Sequence, residues 1–379
     1  MKVVVAIDSF KGSLTSLQAG NAICEGIKKA YSDAETMVRP IADGGEGTVD
    51  TLVAGLRGER KTASVTGPLG EKIQAQYGIV NGDTAVIEMS AAAGITLVPA
   101  DKRNPLITTT YGVGELIIDA INKGCRNFII GIGGSSTIDG GIGMLQALGY
   151  DMLDESGEQV PFGAKGLEKL SSISGHRALP ELKDCTFSIA CDVVNPLCGE
   201  NGCSRVYGPQ KGADAEMIEI MDKWLLNYSE LAKSINDKAD RDFPGSGAAG
   251  GLGFAFMTFL NGTLREGIEL ILSETKLEEY IKNADIVVTG EGRLDSQTVM
   301  GKAPIGVARI AKKYNLPVIA FSGCVTEDAG VCNSHGIDCF FPILREVCAL
   351  GDAMDSQKAY KNMILAVEQV FRLISVCGI

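Results

Sequence analysis

Histidine, positive charge and long apolar runs are scarce in this chain. Two histidines in 379 residues, neither near a nucleophile motif, argue against a Ser-His-Asp hydrolase. Lys and Arg number 35 against 47 Asp and Glu, a net charge of −12 that repels nucleic acids and anionic lipids. No apolar stretch approaches the about 18 residues that span a bilayer, and the N-terminus lacks a signal-peptide core. We therefore expect a cytoplasmic protein with a small-molecule ligand and no nucleic-acid or membrane partner.

Disulfide and zinc patterns are missing as well, although the chain has eleven cysteines. No Cys-x-x-Cys pair occurs, and the closest two, Cys198 and Cys203, have four residues between them. Only His176 and His335 could complete a metal set. We expect the cysteines to be free thiols, most of them buried as small apolar side chains.

The chain also lacks two kinase signatures. A Walker A motif ending at Gly301-Lys302 would need a glycine where Ser296 stands and a Ser or Thr where Ala303 stands. The motifs of protein kinases are missing too. P-loop kinases and protein kinases are therefore excluded.

Glycine, by contrast, is abundant, at 47 residues, without a collagen period or excess proline. Strand, loop and helix patterns alternate along the chain, which predicts an α/β fold with a mainly parallel sheet. Three short strands with an Asn81-Gly82 turn interrupt the alternation from residue 61, where we place the start of a second domain. The predicted strands of the alternating part are 2–7, 38–42, 128–132, 187–191, 285–289 and 317–321.

Five predicted loops combine carboxylates with glycine, hydroxyl or cationic groups just after a strand. Parallel sheets bind ligands at the carboxyl ends of their strands, and magnesium-assisted phosphoryl transfer needs this mixture of groups. The alternative is that each acid caps the following helix. The loops contain Asp8 with Ser9 and Lys11, Asp43 with Glu46, Asp139, Asp192 with Asn195, and Glu291 with Asp295.

Two glycine clusters are candidate phosphate sites. Gly131–Ser136 follows a predicted strand and leads towards a helix, so its N–H groups and hydroxyls suit a phosphate, with a tight turn as the alternative. Gly245–Gly253 contains G-x-G-x-x-G but lacks the preceding strand of a dinucleotide site. We expect it to pack near a nucleotide, with close helix packing as the alternative. Lys11, Lys211 and Lys302 in or beside glycine loops could neutralise phosphate, or be solvated surface lysines.

Seven long motifs in order resemble the bacterial glycerate kinase family, class I, over essentially the whole chain. They are IDSFKGSLTS, RPIADGGEGTVD, GIGGSSTIDGGIGMLQALG, ACDVVNPLCGENG, YGPQKGA, GSGAAGGLGFA and TGEGRLDSQTVMGKAPIGVA. The resemblance implies transfer of the γ-phosphoryl of ATP, with Mg²⁺, to the 2-hydroxyl of D-glycerate. It also implies a flavodoxin- or Rossmann-like domain from 1–60 and 285–379, an inserted α/β domain at 61–284, and an active site in the cleft between them.

Chemical roles can be assigned to residues of these motifs as hypotheses. Asp8, Lys11 and Asp192 are the catalytic candidates, with Asp8 or Asp192 as the base. Candidates for the substrate are Ser9, Lys11, Asp43, Asn195 and Arg293; for ATP, Gly133, Gly134, Ser135, Ser136, Gly245, Gly247, Gly250 and Gly251; and for magnesium, Asp43, Glu46, Glu291 and Asp295.

Two other function classes stay open at this point. A nicotinamide-dependent hydroxy-acid oxidoreductase would use the G-x-G-x-x-G segment, and a non-catalytic binder of sugar acids would use its carboxylates as helix caps. Carboxylates clustered beside glycine loops favour the kinase over both. The sequence leaves the oligomeric state open, a homodimer included.

Overall fold

The computed structural model describes residues 1–42 and 47–378. Asp43 and Glu46, two of the predicted site residues, lie outside the described residues. None of the described helices has both the length and the apolar character that crossing a bilayer would require.

The described chain alternates strands and helices. Its strands are β1 (Lys2–Val5), β2 (Glu35–Val38), β3 (Glu59–Thr66), β4 (Lys72–Val80), β5 (Thr84–Glu88), β6 (Asn127–Gly131), β7 (Asp151–Leu153), β8 (Ser172–Ser174), β9 (Thr186–Ala190), β10 (Thr263–Arg265), β11 (Ile286–Leu294), β12 (Val318–Val325) and β13 (Cys339–Pro342). Its α-helices are α1 (Ser16–Ala30), α2 (Thr48–Gly55), α3 (Ser90–Ala93), α4 (Tyr111–Asn122), α5 (Ile142–Ala147), α6 (Ala164–Lys169), α7 (Cys203–Tyr207), α8 (Ala215–Ala232), α9 (Ala248–Leu260), α10 (Gly267–Glu274), α11 (Leu277–Ile281), α12 (Ala303–Lys312), α13 (Leu350–Ala353) and α14 (Ser356–Cys377). Short 3-10 segments lie at Ile95–Leu97, Ala100–Lys102, Pro180–Asp184, Pro209–Lys211, Ser296–Val299 and Glu327–His335.

The chain divides into two compact units. Unit 1 comprises Met1–Asp43, Asp50–Arg57 and Ile268–Ile379, and unit 2 comprises Gly44–Val49 and Gly58–Gly267. The second boundary therefore lies at 267/268, whereas the sequence prediction put it at 284/285. Packing explains the difference, because Ile268 in α10 lies against Gly306 of α12 so closely that a Cβ on Gly306 would be 2.6 Å from Ile268 Cγ1.

Unit 1 is built on a five-stranded parallel sheet in the order β13-β12-β11-β1-β2. β1 is a run of valines, as suits a strand buried on both faces. The following α1 begins with a capping box, in which Thr15 accepts from the Gln18 N–H and the Gln18 side chain accepts from the Thr15 N–H. Apolar side chains of β1, α1, β12 and α14 form one buried cluster on this sheet.

Unit 2 contains a six-stranded mixed sheet in the order β10-β9-β6-β5-β4-β3. β3, β4 and β5 form the predicted antiparallel meander, and β5 also begins the parallel part of the sheet with β6, β9 and β10. Asn81 and Gly82, in the three-residue connection 81–83 between β4 and β5, have φ values of 55° and 87°, the left-handed conformation that favours Asn and Gly in such turns. Phe128 and Phe187 stack in the core with ring centroids 4.9 Å apart. The fold class is α/β, as predicted.

Three strand predictions in the alternating part were wrong by three or more residues at one end or both. The strand predicted at 317–321 is β12, which runs from Val318 to Val325. The strand predicted at 38–42 runs instead from Glu35 to Val38, and Pro40, which has no N–H, cannot continue the ladder with β1. The strand predicted at 285–289 continues through the supposed loop to Leu294, because β12 offers a paired backbone as far as Val325. Glu291 and Arg293 therefore belong to a strand and not to a loop.

Candidate active site

The first candidate site lies at the carboxyl ends of the strands in unit 1. In this sheet β2 lies on one side of β1, and β11, β12 and β13 follow one another on the other side. The direction in which successive strands are added therefore reverses between β1 and β11. Ligands of open parallel sheets bind at such a reversal. A cavity of about 500 Å³ opens there, lined by residues that follow β1 and by the ends of β11 and β12.

The loop after β1 supplies the first polar wall of this cavity. Asp8 is buried, and its Oδ1 accepts a hydrogen bond of 2.6 Å from the Ser9 N–H. Its own N–H donates to the Gly290 carbonyl of β11, which fixes the loop against the neighbouring strand. Lys11 is exposed and also lines the cavity. The structure thus brings together the predicted residues Asp8, Ser9 and Lys11.

The end of β11 supplies the second polar wall. Arg293 Nε lies 3.1 Å from Asp295 Oδ2, and Lys302 Nζ lies 3.4 Å from Glu291 Oε2. Arg293 and Lys302 both line the cavity. The two carboxylates therefore hold two cations at its edge, an arrangement suited to an anionic ligand. Sequence reasoning had included Lys302 only among three possible lysines.

Glu291, like Asp295, is buried. Its Oε1 accepts a hydrogen bond of 2.7 Å from Thr298 Oγ1. Burial raises the pKa of Glu291, while the Thr298 hydroxyl and the Lys302 ammonium oppose that rise. Asp295 caps the 3-10 segment that follows, accepting from the Gln297 N–H at 3.0 Å. Both acids thus have structural partners in addition to the cations.

An apolar wall completes the cavity and was not predicted. Phe10, Ile343, Leu344, Leu350 and Met354 are among its lining residues. Sequence patterns could not reveal this wall, because it joins Phe10 to residues more than 330 positions later in the chain. Cavities that are mostly apolar with a few charged groups are typical of small-molecule sites.

The second candidate site is the glycine loop after β6 in unit 2. Gly133 and Gly134 are exposed, an ideal Cβ on Gly133 would meet no atom within 4 Å, and Gly134 has φ +73°. The loop therefore leaves its backbone open to a ligand. Ser136 does not share this role: it is buried, and its hydroxyl donates to the Ala93 carbonyl at 2.9 Å. We remove Ser136 from the predicted ATP-contacting residues.

Asp139 anchors the end of this loop. Its carboxylate is fully buried and accepts hydrogen bonds from Thr110 N, Thr110 Oγ1 and Gly141 N at 2.8, 2.8 and 3.1 Å. Burial raises the pKa of Asp139, and these donors oppose the rise. The carboxylate is thus engaged in fixing the turn between β6 and α5.

The glycines at 245–251 form a packed segment, which corrects the prediction that they face ATP. All four predicted residues are buried. A Cβ added to Gly250 would lie 2.0 Å from the Thr137 carbonyl oxygen, and one added to Gly247 would lie 2.1 Å from the Pro196 carbonyl oxygen. Gly245 and Gly251 are similarly crowded. Close packing, the alternative weighed above, accounts for these glycines, and the dinucleotide interpretation loses its motif.

Asp192 and Asn195 follow β9. Asp192 is exposed, and its Oδ1 accepts from the Gly267 N–H at 2.8 Å, at the first residue of α10. Asn195 Oδ1 accepts from the Tyr207 hydroxyl at 2.6 Å, and its Nδ2 donates to the Asn201 carbonyl. Both residues thus have structural hydrogen bonds, and their predicted roles in catalysis and substrate binding stay predictions.

The described residues contain no complete cage of metal ligands. Within 1–42 and 47–378 there is no group of three or more His, Cys, Asp or Glu side chains that could hold a metal ion. Glu291 and Asp295 face cations, which makes them poor ligands for a second positive charge. The predicted four-carboxylate set stays a prediction, because Asp43 and Glu46 lie outside the described residues.

Comparison with known proteins decides the family. Residues 3–375 match the model of the glycerate kinase family. This chain belongs to the glycerate kinase family. It is 48% identical to "Glycerate 2-kinase" of Escherichia coli K12, covering 99% of this chain and 98% of that protein, and 47% identical to "Glycerate kinase" of Bacillus subtilis 168, covering 95% and 94%.

A solved structure supports the same assignment. The structure of a protein assigned as glycerate kinase 2 from Salmonella typhimurium LT2 superposes with a TM-score of 0.93 at 44% identity, covering 100% of this chain and 99% of that one. The glycerate kinase family therefore accounts for the whole chain, and the protein is an enzyme of that family.

Proposed function

We propose that this protein transfers the γ-phosphoryl group of ATP to the 2-hydroxyl of D-glycerate, giving 2-phosphoglycerate and ADP. The observation that carries the proposal is the cavity at the strand-order reversal of unit 1, where cations and a buried carboxylate line one side. Similarity to a protein named glycerate 2-kinase supports the choice of hydroxyl. Three cations line the cavity beside the carboxylates of Asp8 and Glu291, so a small anionic substrate finds partners there although the whole chain carries a net charge of −12.

In this proposal the cavity of unit 1 binds glycerate. Lys11 and Arg293 are the partners of its carboxylate, since charge-assisted hydrogen bonds to ammonium and guanidinium groups are the strongest available to it. Ser9 lies beside them and contacts a hydroxyl. Lys302, which the sequence prediction did not assign to the substrate, adds a third cation to the same cavity.

Phosphoryl transfer then needs a base for the substrate hydroxyl and a site that binds the ATP phosphates. Asp8 or Asp192 orients the 2-hydroxyl and accepts its proton as the oxygen forms a bond to the γ-phosphorus. The bond from that phosphorus to the bridging oxygen breaks, and ADP leaves. Gly133 and Gly134 are proposed contacts of the ATP phosphates, because their exposed backbone suits phosphate oxygens, and the hydroxyl of the buried Ser135 is a third proposed contact.

Mg²⁺ fits this scheme as a companion of ATP. Magnesium usually keeps several waters and is held by one or two carboxylates together with substrate phosphates, so a complete cage of protein ligands is not required. Asp43 and Glu46 are the proposed carboxylates, and Glu291 and Asp295 serve chiefly to orient Lys302 and Arg293. The ion supplies neutralisation of the phosphate charge when it is bound.

The direct test is incubation of the purified protein with Mg-ATP and D-glycerate, followed by ³¹P NMR. We expect stoichiometric ADP and a single new phosphomonoester, identified as 2-phosphoglycerate by addition of authentic 2- and 3-phosphoglycerate. Formation of 3-phosphoglycerate would overturn the choice of hydroxyl alone. Folded protein that releases no ADP would overturn the proposed activity.

A further inference from the structure

Lys211 is a buried ammonium beside the glycine loop of unit 2. It ends the 3-10 segment Pro209–Lys211 and is 2% exposed. Its Nζ donates to Ser135 Oγ at 2.7 Å and to the Thr137 carbonyl at 2.8 Å. Both acceptors belong to the loop after β6, and both are neutral. No carboxylate of the described residues forms an ion pair with Lys211.

The charge of Lys211 lies in surroundings that compensate it only in part. Burial lowers the pKa of Lys211 to about 8, against the influence of Cys203 and Asp139, which favour the ammonium. Taking an ammonium out of water costs several kcal/mol unless its partners return that energy. An apolar side chain at this position would avoid the cost. A role confined to packing therefore does not explain a lysine here, whereas an anion bound at the loop would.

The hydrogen bond from Lys211 also fixes the direction of the Ser135 hydroxyl. Because Ser135 Oγ accepts from the ammonium, its own hydrogen points away from Lys211 and is available to another acceptor. Donation by a charged group strengthens the bond that the accepting hydroxyl then makes. Exposed Gly133 and Gly134 precede this hydroxyl, so the loop offers backbone N–H groups and one polarised O–H together.

We propose that Lys211 is a positioning residue for the nucleotide phosphates, acting through Ser135 by holding the loop 133–136 in its anion-binding conformation. This rests on the proposed function, in which that loop binds ATP. Lys211 itself does not touch the phosphate. It turns the Ser135 hydroxyl into a hydrogen-bond donor and places a positive charge behind it.

The proposal is tested by nucleotide binding, measured separately from turnover. We compare wild type with Lys211→Met, Lys211→Gln and the exposed control Lys223→Met by isothermal titration with a magnesium complex of the non-hydrolysable analogue AMP-PNP. The Kd should rise about tenfold or more in both Lys211 variants and stay within about twofold in the control, as loss of one charge-assisted hydrogen bond predicts. In turnover assays the KM for ATP should rise with it, while the KM for glycerate stays constant.

A double-mutant cycle with Ser135→Ala identifies the route of the effect. If Lys211 acts through Ser135, Lys211→Met added to Ser135→Ala raises the Kd by less than about twofold. Full additivity of the two substitutions, or an unchanged Kd in Lys211→Met, overturns the proposal. Wild type that binds the analogue in a Lys211-dependent way but phosphorylates no glycerate would defeat the proposed function and leave this inference standing. Wild type that binds no nucleotide would defeat both.

The wild-type protein provides a second measurement should the Lys211 variants fail to fold. Asp139, Cys203 and Tyr207 face Lys211 from the loop and from α7. Burial raises the pKa of all three, that of Cys203 to about 12, so the two that ordinarily titrate at alkaline pH stay protonated below pH 9.5. The Kd for AMP-PNP should therefore rise between pH 7.5 and 9.5, with proton uptake on binding near pH 8.5. A Kd that does not change over this range overturns the proposal.

Discussion

Two lysines, the half-buried Lys302 and the buried Lys211, differ in the partners that the fold gives to their charges. Lys302 keeps a carboxylate partner in Glu291, whereas Lys211 is bonded only to neutral oxygens. The two lysines therefore differ in how much of their desolvation is compensated before a ligand arrives. The carboxylates of Glu291 and Asp295 form ion pairs with Lys302 and Arg293.

The stability of the protein should report the burial of Lys211. Its pKa is 10.5 in the unfolded chain and about 8 in the folded protein, so unfolding between these pH values takes up a proton. The free energy of unfolding of wild type, relative to Lys211→Met, should rise from pH 8 to about 10.5, by up to about 3 kcal/mol at about 1.4 kcal/mol per pKa unit. Urea unfolding of both proteins at several pH values measures it. A constant difference would show that burial does not lower the pKa of Lys211, so that the ammonium would persist in the fold up to about pH 10.5.

Replacing Asp192 by Asn separates a catalytic role from a structural one. The amide oxygen of Asn can still accept from the Gly267 N–H, so the cap of α10 should persist. Turnover should fall about a hundredfold or more if the carboxylate is the base. Asp184→Asn, at an exposed position, is the control. Turnover like that of wild type in Asp192→Asn, measured by ADP release, would remove Asp192 from the catalytic residues and leave Asp8.

Arg293→Met should weaken glycerate binding. The guanidinium is 64% exposed and lines the cavity, and its partner Asp295 keeps the Gln297 N–H as a donor, so the fold should be retained. The KM for glycerate should rise about tenfold with little change in the KM for ATP. Arg372→Met removes a comparably exposed, ion-paired arginine from α14 as a control. Equal effects of the two substitutions on steady-state kinetics would argue against a site at Arg293.

At the scale of elements, two glycine loops that look alike in sequence have different roles. The loop after β6 leaves its first glycines exposed, while the start of α9 is buried. Ala249, Gly250 and Gly251 all have positive φ, so the backbone there turns through three left-handed residues before the regular helix begins. Close packing on Thr137 and Gly140 explains why small residues are needed.

A pair of substitutions distinguishes these roles. Gly250→Ala adds a Cβ that would lie 2.0 Å from the Thr137 carbonyl oxygen at φ +69°, so the free energy of unfolding should fall by about 2 kcal/mol or more. Gly133→Ala adds a Cβ in open space, so stability should change by less than about 0.5 kcal/mol while the KM for ATP rises. Thermal unfolding and kinetics of both variants measure this. Destabilisation by Gly133→Ala alone would reverse the assignment.

The sequence predicted elements well where local pattern decides them. The valine run of β1 and the Asn81-Gly82 turn both formed close to their predicted positions, because apolar runs and turn chemistry are local properties. The length of β11 was missed, since it depends on how far β12 continues beside it. The burial of Lys211 and Ser136 was missed for the same reason, because it depends on segments that are distant in the chain. Lys211 is bonded to the loop 135–137, and Ser136 is bonded to Ala93.

At the scale of the whole molecule, the cysteines are free, as expected, but the expectation that most of them are buried was wrong. Four of the eleven are buried, four are half-buried, and three are exposed: Cys324, Cys348 and Cys377. Burial raises the pKa of the partly and fully buried thiols, for example that of Cys198 to about 11, which suppresses the reactive thiolate. The described residues are thus held together by the packing of buried apolar side chains, and none of their cysteines forms a disulfide.

Thiol titration should therefore give a simple result. About three equivalents of Ellman's reagent should react rapidly with the native protein and eleven after denaturation, and a reductant should not change Tm. Cys324 lines the cavity of unit 1, so D-glycerate should slow one of the three fast reactions, and Cys324→Ser should abolish that fast reaction. Glycerate that slows no thiol in wild type would contradict a site in this cavity.

The position of β1 has a consequence for biosynthesis. β1 lies between β2 and β11, and its partner residue Ile286 leaves the ribosome 281 residues after Val5. At about 5–20 residues per second, β1 waits roughly 14 to 56 s for that neighbour. The apolar face of α1 waits longer, because Gly26 packs on Val367 near the end of the chain. Unit 2, nearly continuous in sequence, is complete long before, so the emerging polypeptide carries a folded middle and an unfinished beginning until translation ends.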